Sequence, residues 1–384
     1  MKTATTLLLV AVLTLVALGM VMLVSASTGQ PEAKYLIMQP IWCGLGLLAC
    51  GLCAAGDYRW LKKFPWVPYV LLAAVVGLLV LVLIPHIGLR VNGARRWLGV
   101  GSFRMQPSEL VKLALIVALA HYGERYQRHM PKFWRGLGVP GLMIGAVLAL
   151  LFLEPDVGTM MVLAAVSGIM LLIAGVRWRY LLPLTLVLAI GLGVFLRHDS
   201  TRSGRIYSWL HLEETKLDKG LQTYQAMVAL GSGGVTGKGL GDGRQKLGFV
   251  PEHHTDFIFS VIGEELGLAA TLAVLLAFLA VLLCGVYIAW HASDLFGTLI
   301  ASGITFLIAL QVVINIGVVT GSLPNKGLAL PFISYGGSNL VIMLASVGML
   351  INIGRHAGHA RAVRRDEIDR ASDNPFAAHA DPVV

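Results

Sequence analysis

Ten apolar runs, most of them close to twenty residues long, dominate this chain of 384 residues. They fall at about 7–24, 36–56, 66–85, 109–122, 136–153, 158–175, 181–196, 257–290, 297–320 and 338–354. A helix rises about 1.5 Å per residue, so about 20 apolar residues cross the ~30 Å hydrocarbon layer of a bilayer. Backbone in lipid must satisfy its own hydrogen bonds, which leaves helices and closed barrels as the spanning solutions, and runs of this length select helices. The expected fold is therefore an all-α polytopic membrane protein with about ten transmembrane helices. Composition agrees: 13% of residues are charged, against roughly 25% in a soluble domain.

Three runs need comment. The first, after Lys2 and before Ser25-Ala26-Ser27, has the outline of a signal peptide, but its length and the nine runs behind it fit an uncleaved first span. The fourth is short and carries Glu109 and Lys112. The eighth, 257–290, exceeds one crossing, so its first turns are expected at or above the membrane surface. The cysteines Cys43, Cys50, Cys53 and Cys284 all lie in apolar runs. With no second pair beside Cys50 and Cys53 to complete a zinc site, they read as small apolar filler.

Short loops set orientation. Arg59, Lys62 and Lys63, then Arg125, Arg128, Lys132 and Arg135, then Arg177 and Arg179 fall on one side, together with the arginine-rich C-terminus. The positive-inside rule makes that side cytoplasmic, with both termini inside. Residues 1–355 read as one membrane domain, and 356–384 as a disordered cytoplasmic tail, since the tail mixes charge, His, Ala and Pro without apolar periodicity.

Two outer segments, about 86–108 and 197–256, are also basic, which insertion does not explain. In the first, Arg90, Arg95, Arg96 and Arg104 surround Trp97. Arginine holds phosphate through paired hydrogen bonds, while Arg and Trp together also anchor a protein at lipid headgroups. Both readings stand. Glu109 and Lys112, three apart on one helix face, either pair with each other or line a polar cavity. The turn Glu154-Pro155-Asp156-Val157-Gly158-Thr159 places two carboxylates outside; a hydrated turn is expected over a divalent-ion site.

The second basic segment is the larger. Its glycine-rich part, ALGSGGVTGKGLGDGRQKLGF, fails as a phosphate loop, because Gly239 follows Lys238 where Ser or Thr is required. The glycines serve close backbone approach and irregular turns instead. Arg244, Lys246, Glu252, His253, His254 and Asp256 then gather just above an apolar helix. Asp256 reads equally as a functional carboxylate at a membrane boundary or as the helix N-cap. Gln311 and Asn315, four apart in the ninth run, read as interhelical hydrogen-bonding groups. Residues 321–339 form a last outer loop, with Lys326 its sole charge and Ser334, Tyr335 and Ser338 its polar side chains; it is expected beside the Asp256 loop.

These pieces together resemble the SEDS family (shape, elongation, division and sporulation), the polytopic peptidoglycan glycosyltransferases. The resemblance rests on LVSAS at 23–27, VNGARRW at 91–97, QPSELVK at 106–112, EPDVGT at 154–159, the stretch 229–267 and LPNKGLALPFISYGGS at 323–338, in this order. RQKLGFVPEHHTDF and the start of the last loop are most similar to the division branch, with the elongation and sporulation branches as alternatives.

The resemblance implies polymerisation of lipid II at the outer face of the bacterial cytoplasmic membrane, at the division septum. The family's essential aspartate falls on Asp256. Arg95, Arg96, Glu109, Lys112, Arg244, Lys246, Lys326 and Ser334 are the candidates for holding lipid II and its pyrophosphate, with a divalent cation (Mg2+ or Mn2+) a further source of positive charge and no organic cofactor expected. Expected partners are lipid II and the growing strand, a class B penicillin-binding protein, other division-machine membrane proteins and membrane lipids, with no nucleic acid. A lipid II flippase is the competing reading. Transporters place ionisable groups near the midplane in paired broken helices, and no such internal repeat is visible here.

Overall fold

The computed structural model of the protein describes residues 1–26, 33–91, 93–100, 103–198, 200–218, 220–243 and 255–372. Helices α1 (Lys2–Ala26), α2 (Ala33–Ala55), α3 (Trp60–Lys63) and α4 (Val67–Leu83) come first. Strands β1 (Leu89–Val91), β2 (Ala94–Val100) and β3 (Phe103–Met105) follow, then α5 (Pro107–Arg125), α6 (Val139–Leu153), α7 (Val157–Ile173) and α8 (Trp178–His198). Short helices α9 (Ser200–Leu210), α10 (Leu212–Thr215) and α11 (Leu221–Ser232) lead to α12 (Ile258–Trp290), α13 (Leu295–Val319) and α14 (Gly337–Ser372).

Among the described residues, six helical stretches are long and apolar enough to cross a membrane, and three shorter apolar ones cover Val67–Leu83, Val157–Ile173 and Trp178–Gly191. Helix α5, 19 residues long, occupies the place of the one remaining run, the fourth. Its weak apolar signal has a physical reason. Almost every residue from Val111 to Gly123 is buried, so α5 faces protein rather than lipid and tolerates Glu109, Lys112 and His121. Helix α13 is buried in the same way and packs against α5, α7, α12 and α14. Small residues bring these helices close: a Cβ on Gly303 would meet Ile116 and Met170, and one on Gly348 would meet the backbone of Cys50. Helix α8 is the opposite case, with Leu182, Leu186, Val187, Leu188 and Ile190 all exposed and α9 its main contact.

Three expectations change. Within 86–108, read from the sequence only as a basic outer segment, β1, β2 and β3 form a three-stranded antiparallel meander, pairing Arg90 with Arg95 and Gly99 with Arg104. Gly93, at φ 82, turns β1 into β2. The large loop at 197–256 is partly helical, through α9, α10 and α11. The tail expected to be disordered from 356 continues α14 as helix to Ser372, while 373–384 lie outside the described residues. Its Ala, Arg and Glu residues are good helix formers, and a helix already nucleated by α14 extends without a new nucleation cost.

The connections sort to two ends of the bundle. At one end Lys62 bridges Glu124 (2.5 Å) and Asp294 (3.6 Å), Tyr58 donates to Asp294, and His356 meets Asp57. A Cβ on Gly358 would touch Met1, so the start of α1 and the end of the last apolar stretch sit here with the basic clusters. At the other end lie the meander, the 154–159 turn, the glycine-rich segment and the 321–338 loop. In a variant lacking the four cysteines, Arg128→Cys and Leu217→Cys, both at exposed positions, should react with impermeant maleimide from opposite sides of the membrane. Labelling of both from one side would overturn the two-ended arrangement.

Candidate active site

Helix α12 builds the site. Its cap is Phe257, with no side-chain cap bond, so Asp256 stands one residue outside the helix and is not its N-cap. The carboxylate is half-buried at the end of the bundle away from the termini. Two residues from distant elements hold its backbone. Asn315 of α13, 2% exposed, donates through Nδ2 to the carbonyls of Asp256 (2.8 Å) and Leu328 (2.7 Å). Ser334 donates to the carbonyl of Thr255 (2.5 Å) while accepting from the Leu330 amide (2.8 Å). The side chain of Asp256 rests against the 321–338 loop: a Cβ on Gly327 would lie 2.6 Å from Oδ2.

The glycine-rich segment is locked into a break in the same helix. Gly267, at φ 75 and ψ −171, interrupts α12. In an unbroken helix the amides of Leu268 and Ala269 would bond the carbonyls of Glu264 and Glu265. Here they bond Gly234 (2.9 Å) and Val235 (3.2 Å), and the freed carbonyls accept from the amides of Lys238 and Gly239, both at 3.0 Å. Gly237, at φ 81, approaches so closely that a Cβ would overlap the Glu265 backbone. Four exchanged backbone bonds make this a structural insertion, which agrees with its failure as a phosphate loop.

The candidate ligand-binding residues divide. Lys112 is fully buried, with Nζ 2.8 Å from both oxygens of Glu109. The two pair with each other, and neither faces solvent. Arg96 donates to the carbonyls of Glu154 (2.9 Å) and Pro155 (2.8 Å), pinning the meander to the 154–159 turn. Arg95, half-buried on β2, makes no side-chain hydrogen bond or ion pair among the described residues. Lys326 is half-buried and meets the Met161 sulfur, next in sequence to the Gly327 that touches Asp256. Ser334, 4% exposed, has its hydroxyl engaged both ways, so it braces the loop. Arg244, Lys246, Glu252, His253 and His254 lie outside the described residues.

The two carboxylates of the 154–159 turn are buried, not solvated as expected. Glu154 is fully buried and Asp156 is 6% exposed. Asp156 caps α7 by accepting from the Thr159 amide, and its other oxygen accepts from Ser108 and Gln106. Both carboxylate oxygens of Glu154 lack a hydrogen-bond partner among the described residues. Burial, with Asp156 alongside, pushes the Glu154 carboxyl up to about 8 against the pull of Arg96. Among the described residues no three His, Cys, Asp or Glu side chains converge on one point. A hexacoordinate Mg2+ needs only one or two protein carboxylates beside substrate phosphate oxygens, and Asp256 fits that sparse donor set.

A family profile described as "Cell cycle protein", covering the FtsW, RodA and SpoVE proteins, matches residues 5–359. The chain belongs to this family, the SEDS peptidoglycan glycosyltransferases. It is 40% identical over 345 residues to "Probable peptidoglycan glycosyltransferase FtsW" of Geobacter metallireducens, covering 88% of this chain and 91% of that one. It is also 40% identical over 366 residues to "Stage V sporulation protein E" of Bacillus subtilis, covering 93% and 98%. Among solved structures, the fold is similar to a chain of a peptidoglycan synthase complex described for its coordination of polymerization and crosslinking. The TM-score there is 0.76 at 30% identity, covering 91% of this chain and 97% of that one. It is also similar to the rod shape determining protein RodA of Thermus thermophilus, with TM-score 0.67 at 31% identity, covering 91% and 96%. As an SEDS protein, the chain is a multi-pass membrane protein. The glycosyltransferase fold and the helical spans expected from the sequence are thereby shown.

Glu154 generates a pH prediction. Its folded-state pKa lies above the ordinary carboxyl value of 4.5, at about 8, so the folded protein keeps a proton that the unfolded chain has lost between these values. Stability is therefore fully present below about pH 4.5 and declines as pH rises through about 8, by up to about 1.4 kcal/mol per pH unit. Thermal midpoints in detergent should fall across this window in the wild type and flatten in Glu154→Gln, which mimics the protonated form. Parallel curves for the two proteins would remove Glu154 as the source.

Proposed function

We propose that this protein polymerises lipid II into glycan strands at the outer face of the cytoplasmic membrane, with Asp256 as general base. The observation that carries the reading is the seating of Asp256. It is a carboxylate that caps no helix, is half-buried where the bundle meets water, and has its backbone fixed by α13 and the 321–338 loop. A purely structural aspartate at this point would be expected to cap the helix; here the cap is Phe257, and the Asp256 main chain is braced from two other elements.

The chemistry follows from the bonds exchanged. A sugar hydroxyl of the acceptor attacks the anomeric carbon of the donor, whose bond to the lipid pyrophosphate breaks. Asp256 takes the hydroxyl proton as the new glycosidic bond forms, and the electron pair leaves with the pyrophosphate. An α-linked donor gives a β-linked product in one displacement with inversion, so no covalent carboxylate intermediate is needed. Positive charge must meet the developing charge on the leaving group. Lys326 and Arg95 are the first candidates, with Arg244 and Lys246 on the segment just before Asp256. A divalent cation held by Asp256 and the pyrophosphate oxygens would supply the same stabilisation. Lys112 and Arg96 support the site from within, through their bonds to Glu109 and the 154–159 turn.

The likeness at 244–257 and 323–338 favours the division role at the septum, with a class B penicillin-binding protein as the partner that crosslinks the strands. Overall identity does not separate the division and sporulation relatives, since both stand at 40%.

Two variants test the base. Asp256→Asn keeps shape and most hydrogen bonding but removes the proton acceptor, so polymerisation of lipid II by the purified protein should fall by about 10²–10⁴ with abundance maintained. Near-wild-type polymer yield would sink the assignment and turn attention to the other buried carboxylates at this end. Gly327→Ala places a methyl group where the Asp256 carboxylate rests, and a displacement of about 1 Å lowers kcat by up to about 10²-fold. Wild-type kcat in that variant would show that this face of Asp256 is idle in the reaction.

A further inference from the structure

Two adjacent carboxylates, Glu264 and Glu265, lie fully buried at the Asp256 end of the bundle, and no step of the chemistry above uses them. Burying a carboxylate is costly unless bonds compensate, and a well-packed apolar side chain is often at least as stable in the same place. Their partners are informative. Glu264 takes Lys238 Nζ at 2.8 Å, from a lysine one-third exposed. Glu265 gathers two donors on one oxygen, Oε2: the Ser25 hydroxyl at 2.5 Å and the Gly241 amide at 3.1 Å. Ser25 lies at the end of α1, 240 residues away in the chain. One carboxylate therefore ties the first helix and the glycine-rich insertion to the segment that follows Asp256.

That segment needs such a tie. Gly267 interrupts α12, and the amides of Leu268 and Ala269 bond the glycine-rich insertion instead of the carbonyls of Glu264 and Glu265, so residues 258–266 depend on that insertion for their orientation. We infer that Glu265 is a positioning residue for glycosyl transfer, clasping Ser25 and Gly241 so that the short segment 258–266 holds Asp256 at its working distance. This rests on Asp256 being the base. The lever arm is long: nine residues of helix span about 13 Å. A tilt of about 5° at Glu265 therefore moves Asp256 by about 1 Å, a displacement that costs up to about 10²-fold in rate. Substrate binding, which other residues provide, should be spared.

The test is steady-state kinetics of the full-length protein on lipid II, with each variant's membrane abundance measured alongside. Glu265→Leu should lower kcat by about 10²-fold and leave KM within about threefold. Glu265→Gln keeps an acceptor oxygen for both donors and should recover to within about fivefold of wild-type kcat. Ser25→Ala, which removes one donor and leaves the carboxylate in place, should lower kcat by about three- to tenfold at constant KM. Wild-type kcat in Glu265→Leu would overturn the inference, and so would a raised KM at wild-type kcat. A Gln variant as inactive as Leu would also overturn it, since that outcome demands the charge itself. Should Glu265→Leu fail to accumulate, Ser25→Ala decides alone, and wild-type kcat there overturns the clasp. Asp256→Asn in the same assay keeps the two readings apart. Activity in that variant removes the base, whatever Glu265 does; its inactivity beside a normal Glu265→Leu removes only the clasp.

Discussion

The break in α12 at Gly267 is the constraint on which the Asp256 end of this protein depends. A helix near hydrocarbon cannot leave backbone groups unpaired, because no water is there to meet them. The chain resolves this by bringing a second segment into the gap. Leu268 and Ala269 donate to Gly234 and Val235, and Lys238 and Gly239 donate to the carbonyls thereby released. The exchange needs backbone at contact distance, which accounts for the glycines at 237 and 267, both at positive φ. What results is a short helical segment that starts beside Asp256 and is tied by tertiary bonds to the glycine-rich insertion at the point where it joins the long helix.

The polar residues buried within the bundle serve the same end. Asn315 sits on α13, a spanning helix largely enclosed by its neighbours, and reaches two carbonyls in segments outside the regular helices. Ser334 does the same for Thr255. Arg96 reaches across from the meander to the 154–159 turn, while Gln106 and Ser108 at the start of α5 meet Asp156. Irregular backbone at this end is held by side chains from spans on every side. This is how a loop-built site acquires the rigidity that catalysis by positioning requires.

Much of the architecture is written linearly. Span number, the side on which the basic loops gather and the placing of Asp256 at the foot of an apolar helix follow from hydropathy and charge, which are sums over neighbouring residues. Runs of about twenty apolar residues have one solution in a bilayer, and the ten helices sit where the runs are. Even the weak fourth run is explained by this logic once α5 is known to face protein. The meander at 89–105 and the helical tail to Ser372 were less legible, since short strands and a charge-rich helix leave no apolar period of their own.

Hydropathy and charge along the chain identify the membrane class, the spans and the carboxylate at their mouth. Which polar groups are already committed emerges from the packing. Lys112 is consumed by Glu109, Arg96 by carbonyls 58 and 59 residues away, Ser334 by a carbonyl 79 residues away, and Glu265 by a serine 240 residues away. A cation exposed to ligand and a cation buried in a pair look identical in a linear string. Burial and partnership depend on how helices pack side by side, and in lipid that packing is set by small-residue contacts and interhelical hydrogen bonds between segments with no fixed spacing in the chain.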